Sequence, residues 1–92
     1  MDKNYEIGLE ALYAGNLEKA ESNLSIAIDK DPLNGDAFFY RGKARWQAGS
    51  LPAAINDFQK TIDINPMHNQ AKVSIEMINQ ILSFRNPDLY NP

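Results

Sequence analysis

Residues 8–32 read GLEALYAGNLEKAESNLSIAIDKDP, and residues 42–66 read GKARWQAGSLPAAINDFQKTIDINP. Laid over each other at an offset of 34 residues, the step from Gly8 to Gly42, the two segments agree at both their punctuation and their apolar positions. Gly15 meets Gly49, Leu17 meets Leu51, Ala20 meets Ala54, Leu24 meets Phe58, Ile28 meets Ile62 and Pro32 meets Pro66. A fixed period of this size marks a chain built by stacking copies of one supersecondary unit. Gly15 and Gly49 can adopt the left-handed conformation that closes a helix, and Pro32 and Pro66 cannot continue one, so each unit reads as a pair of helices. Asn16 and Ser50 stand where a side-chain oxygen accepts from the free N–H groups of the second helix, and Pro52 suits its first turn. Gly8 and Gly42 fall inside helical patterns, where glycine costs about 1 kcal/mol relative to alanine. Close approach of a neighbouring helix is the expected compensation.

This order of glycine, alanine, large apolar residue and proline resembles the tetratricopeptide repeat, over nearly the whole chain. The resemblance implies an all-α fold, an antiparallel helix-hairpin stack wound into a right-handed superhelix. Two full units and a last helix from Asn69 to about Phe84 give five helices. One domain is expected over residues 1–85, divided into repeats at 1–34 and 35–68 and a capping helix at 69–85. Residues 86–92, Asn-Pro-Asp-Leu-Tyr-Asn-Pro, are expected to form an irregular tail. The chain departs from the family pattern at Asn4, where the family has tryptophan, and at Ala11 and Arg45, where it has tyrosine. Thr61 replaces a small alanine. Arg41 replaces an apolar residue, and its stem is expected to cover apolar surface while its head reaches water.

The face of each leading helix that packs on the preceding unit changes along the chain. It carries Lys3, Glu6 and Glu10 in the first helix, then Ala37, Tyr40 and Ala44, then Ala71, Ser74 and Ile78. On the far side of the last helix stand Lys72, Glu76, Asn79 and Ser83. Polar outer faces on terminal repeats keep a solenoid soluble, so two and a half repeats capped at both ends are expected.

The composition narrows the chemistry. A chain of 92 residues with 43% hydrophobic content is enough for one core. Without cysteine there are no disulfides or thiolate sites. Twelve acidic against nine basic residues, a net charge of -3, repel a phosphate backbone, so nucleic acid is not an expected partner. No segment approaches the roughly 20 apolar residues of a membrane span, and the opening Met-Asp-Lys-Asn-Tyr-Glu has no basic region followed by an apolar stretch. A soluble, cytoplasmic chain that does not engage membranes is the expectation. His68 is the single histidine and reads as a capping or loop residue, with no second ligand for a metal and no relay for catalysis. Asp29, Asp31, Glu18 and Glu21 read as solvated charge. Arg41 and Arg45 share one helical face while Lys43 points elsewhere. No cofactor and no enzymatic activity are expected.

In this family the leading helices line a concave groove. The residues expected there are Tyr5, Leu9, Leu12 and Tyr13 from the first helix, and Phe39, Lys43, Trp46 and Gln47 from the third. The fifth contributes Val73, Met77 and Ile81, with Phe84 at its end. Full burial of a large apolar side chain gains roughly 1.5 to 3 kcal/mol, so such a stripe invites a cover. A peptide or protein segment is the expected partner, with Lys43 able to meet a carboxylate. Self-association as a homodimer through the groove and last helix is the alternative, and Leu89 and Tyr90 of the tail could also fold back over it. The lysine and asparagine clamp that recognises chaperone C-termini in some family members is missing. Tyr5 and Leu9 occupy its first positions, and Tyr40, Gln70 and Ser74 supply no cation. Acidic chaperone-tail peptides are therefore expected to bind no better than scrambled ones in a tryptophan-emission titration, and saturable micromolar binding would contradict this.

Overall fold

Four of the five helices begin where a side chain satisfies a free backbone N–H group. A computed structural model describes residues 2–85 and contains five helices: α1 (Lys3–Tyr13), α2 (Leu17–Lys30), α3 (Gly35–Gln47), α4 (Leu51–Ile64) and α5 (Asn69–Arg85). The expected tail, with Leu89 and Tyr90, lies outside the described residues. Asp2, Asn16 and Asn34 cap α1, α2 and α3 by accepting from Tyr5, Lys19 and Ala37 N–H at 3.1, 3.2 and 3.1 Å. Ser50 departs from expectation, since its side chain makes no capping bond and Pro52 in the first turn of α4 has no N–H to satisfy. None of the helices is long and apolar enough to cross a membrane.

The turns inside the two units are the same motif. Gly15 and Gly49 take φ of 81° and 86°, a conformation that side-chain-bearing residues rarely adopt. Around them Asn16 N–H reaches Ala11 C=O at 2.8 Å and Gly15 N–H reaches Leu12 C=O at 3.0 Å. Ser50 to Arg45 and Gly49 to Trp46 repeat this pair at 2.8 and 2.9 Å, which is the Schellman closure of a helix C-terminus.

The hairpins then close on their glycines. A Cβ on Gly8 would stand 2.7 Å from Leu24 Cγ, and one on Gly42 would stand 2.8 Å from Phe58 Cε1. Those distances are too short for alanine, so the expected close helix approach accounts for both residues. Ala20, Leu24, Ala54 and Phe58 are fully buried beside them. Between units, Ala37 packs with Ile28 and Ala44 with Ala20, while Ala71 and Ile78 join Leu51, Ala54 and Phe58. Lys3, Glu6 and Glu10 are exposed, as are Lys72, Glu76 and Asn79 at the other end.

A polar network crosses this junction on the opposite side from the groove stripe. Asp57, only 3% exposed, accepts from Arg41 Nε at 2.9 Å and Nη2 at 2.8 Å, and from Arg45 Nη1 at 3.1 Å. Arg41 also donates to Ser25 Oγ at 3.1 Å, and Arg45 Nε to Glu21 Oε1 at 2.8 Å. This corrects one reading of the sequence, since the Arg41 head turns to a buried carboxylate and not to water, while Glu21 keeps a side chain 42% exposed and also pairs with Arg45. Thr61, the residue in place of alanine, is fully buried and donates to Asp57 C=O at 2.9 Å. Removing one member of such a set strands the others without counter-charge. Asp57→Ala is expected to lower stability by about 3 to 5 kcal/mol in urea unfolding; a loss under about 1 kcal/mol would mean that the arginines are satisfied by water.

Candidate functional site

The leading helices α1, α3 and α5 place the expected stripe at matching register, and two hollows open along it. Phe39, Lys43 and Trp46 of α3 face Asn69, Gln70, Val73, Ser74 and Met77 of α5 across a hollow of about 410 Å³. Met77 also borders a second hollow of about 350 Å³, whose other walls are Gln80, Ile81 and Phe84. Neither hollow includes a residue of α1. The two adjoining hollows thus lie at the α3–α5 end of the expected stripe.

The reason lies in how each expected residue is packed. Leu12 is 5% exposed and packs with Ala11, Ala20 and Ala44, where the small Ala44 of the next unit leaves room for it. It belongs to the core and not to an accessible groove. Phe39 is equally buried, tilted against Phe58 with ring centroids 5.6 Å apart, and contributes the floor of the larger hollow. Trp46, half-buried, meets Phe58 edge-on at 6.1 Å and forms one wall. Lys43 holds its ammonium 5.6 Å from the Phe39 ring centroid. Gln47 and Tyr13 are exposed outside both hollows, and Leu9 is half-buried. On α5, Val73 and Met77 are 51% and 49% exposed, and Phe84 is 88% exposed. Ile81 is half-buried against the core.

The α1 end of the stripe is rich in tyrosine. Tyr5 and Tyr40 meet edge to face with centroids 6.3 Å apart. Burial pushes the Tyr5 hydroxyl up to about 12, with the negative charge of Asp36 next in effect, then Tyr40 and Tyr13. Burial likewise raises Tyr40, followed by Tyr13 and Asp36. Asp36 is thus within electrostatic reach of the tyrosine cluster, and sequence reasoning missed it. Its position three residues before Phe39 and 34 after the capping Asp2 is the signal that could have found it. Gln80 went unnoticed, and Gln70 was weighed only as the lack of a cation, because the stripe was sought mainly among apolar residues.

His68 joins the two sides of the hollow. Its Nδ1 accepts from Ala71 N–H at 3.2 Å and so caps α5, which settles the choice between a capping and a loop histidine. Its ring lies 4.6 Å from that of Phe39, and Nε2 stands 3.5 Å from Asp36 Oδ1. Among the described residues no group of three or more His, Cys, Asp or Glu side chains could hold a metal ion.

Comparison with known proteins agrees with this architecture. Residues 5–68 match the family model described as "Tetratricopeptide repeat". The chain is 34% identical over 64 residues to DnaJ homolog subfamily C member 3 of Bos taurus, and 34% identical to the Homo sapiens protein of the same name. The Rattus norvegicus protein is 33% identical over the same length. Each match covers 70% of this chain and 13% of the relative, so the matching segment is a small part of those proteins. No solved structure matches significantly.

The tyrosine cluster has a measurable signature. Because Tyr5 ionises later in the folded chain than the ordinary 10.0, its contribution to stability is complete below pH 10 and is lost as pH rises toward about 12. Ultraviolet titration of the phenolates should show a late phase that Tyr5→Phe removes; a single transition near 10 would show that Tyr5 is freely solvated.

Proposed function

The chain belongs to the tetratricopeptide repeat family, and we propose that it is an interaction module that seats a peptide or protein segment on the concave side of α3 and α5. Repeats of this family are in general protein-interaction modules and non-catalytic. The observation that carries the reading is the exposure of Val73, Met77 and Phe84 along the two adjoining hollows, beside the half-buried Trp46 and Ile81. Exposed apolar patches rimmed by polar groups mark interaction sites. Asn69, Gln70, Ser74 and Gln80 form such a rim and can bond a ligand backbone. Methionine at the junction of the hollows adapts its shape to different side chains. Tyr5, Leu9 and Tyr13 extend the same face toward α1, as flanking surface and not as walls of the hollows. The acidic, cysteine-free composition suits a protein partner in the reducing cytoplasm better than a nucleic acid.

Self-association is the second reading, and one observation favours it: α5 is supported by α4 on one side and keeps large apolar side chains on another. Met77→Asp separates the two. A groove for a partner loses its affinity for apolar peptides by about tenfold or more, with helicity and molar mass unchanged. A homodimer instead falls to half its mass in light scattering. Retention of both peptide binding and mass would remove Met77 from any interface.

A further inference from the structure

The charges along α3 carry more information than the apolar walls beside them. Asp36 and Lys43 are seven residues apart, which on a helix is two turns along one face and about 10 Å of axial rise. Among the described residues, neither finds an opposite lysine, arginine or carboxylate within 4.0 Å; the one basic neighbour of Asp36 is His68 at 3.5 Å. The other basic residues of α3 differ. Arg41 and Arg45 are both committed to Asp57 on another face of α3. The Asp36 side chain is 64% exposed beside the Tyr5 and Tyr40 cluster, and Lys43 borders the larger hollow over Phe39. α3 therefore presents an anion, then an apolar floor, then a cation.

We infer that the segment seated there is one of mixed charge, with a lysine or arginine meeting Asp36, an acidic side chain meeting Lys43, and large apolar side chains between or beyond them. The inference rests on the interaction reading above and adds the partner's chemistry to it. The spacing of about 10 Å corresponds to three residues of an extended segment or seven of a helical one. Charge pairs of this kind contribute modestly to affinity and more to orientation and discrimination between partners. An entirely acidic segment would meet Asp36, and an entirely basic one Lys43.

Four synthetic peptides with a common Leu-Phe centre test this, bearing Lys and Glu, two Lys, two Glu or two Gln as the flanking pair. The pair is placed three residues apart in an extended host and seven apart in a helical one, and binding is read from Trp46 emission. The Lys and Glu peptide should bind about tenfold tighter than the doubly basic or doubly acidic peptide in at least one host. Asp36→Asn should bring the doubly acidic peptide level with the Lys and Glu peptide, and Lys43→Gln should do the same for the doubly basic one. Circular dichroism checks that each variant keeps its helices. Equal affinity for all four peptides in both hosts overturns the charge reading while leaving the groove intact. No binding of any peptide overturns the groove reading and this one with it. A preference for the doubly acidic peptide assigns recognition to Lys43 alone and overturns the role of Asp36.

Discussion

Each hairpin is drawn tight at one point, Gly8 against Leu24 and Gly42 against Phe58, and that closeness governs the remaining geometry. With no side chain at the crossing, the two helices of a unit approach until the Leu24 or Phe58 side chain fills the gap, and Ala20 and Ala54 are sealed in beside it. Larger residues of the leading helices are then displaced to the inter-unit face or to the concave side. The fifth helix lacks a hairpin partner among the described residues, and at the same register it carries the exposed Glu76. Freed from that crossing, α5 can present apolar side chains both to α4 and to the groove.

The fold was legible because its punctuation is local. A left-handed glycine, a proline and a capping asparagine act within a few residues, and their repetition at 34 leaves one arrangement of helices. The network on Asp57 was not legible, because polar residues on a helix normally read as solvent-facing and nothing in the spacing reveals that Arg41, Arg45 and Asp57 converge from two helices. The groove was half legible. Register placed Leu12 and Trp46 at equivalent positions, yet Leu12 fits the space left by Ala44 and is enclosed, whereas the indole of Trp46 is only partly covered and remains at the surface. Side-chain volume against the next unit decides which residues at one register position stay accessible, and periodicity does not encode it.

The concave side consequently changes character along its length. Phenolic rings and Asp36 dominate near α1, Lys43 and the aromatic floor occupy the middle, and flexible or branched apolar side chains line α5. A segment laid along it would meet a series of distinct environments and not a uniform oily channel, which would let a small surface discriminate between segments of similar hydrophobicity.

The helix that forms one wall of the larger hollow is also the one with the fewest supports. α5 rests on α4 and is fastened at its start by His68, whose imidazole bonds Ala71 and lies against Phe39 of α3. Anything lodged between Trp46 and Met77 would act as a strut between the third and fifth helices, bracing the loosest member of the stack. Occupancy and rigidity of this end would then be two faces of one equilibrium, each rising with the other.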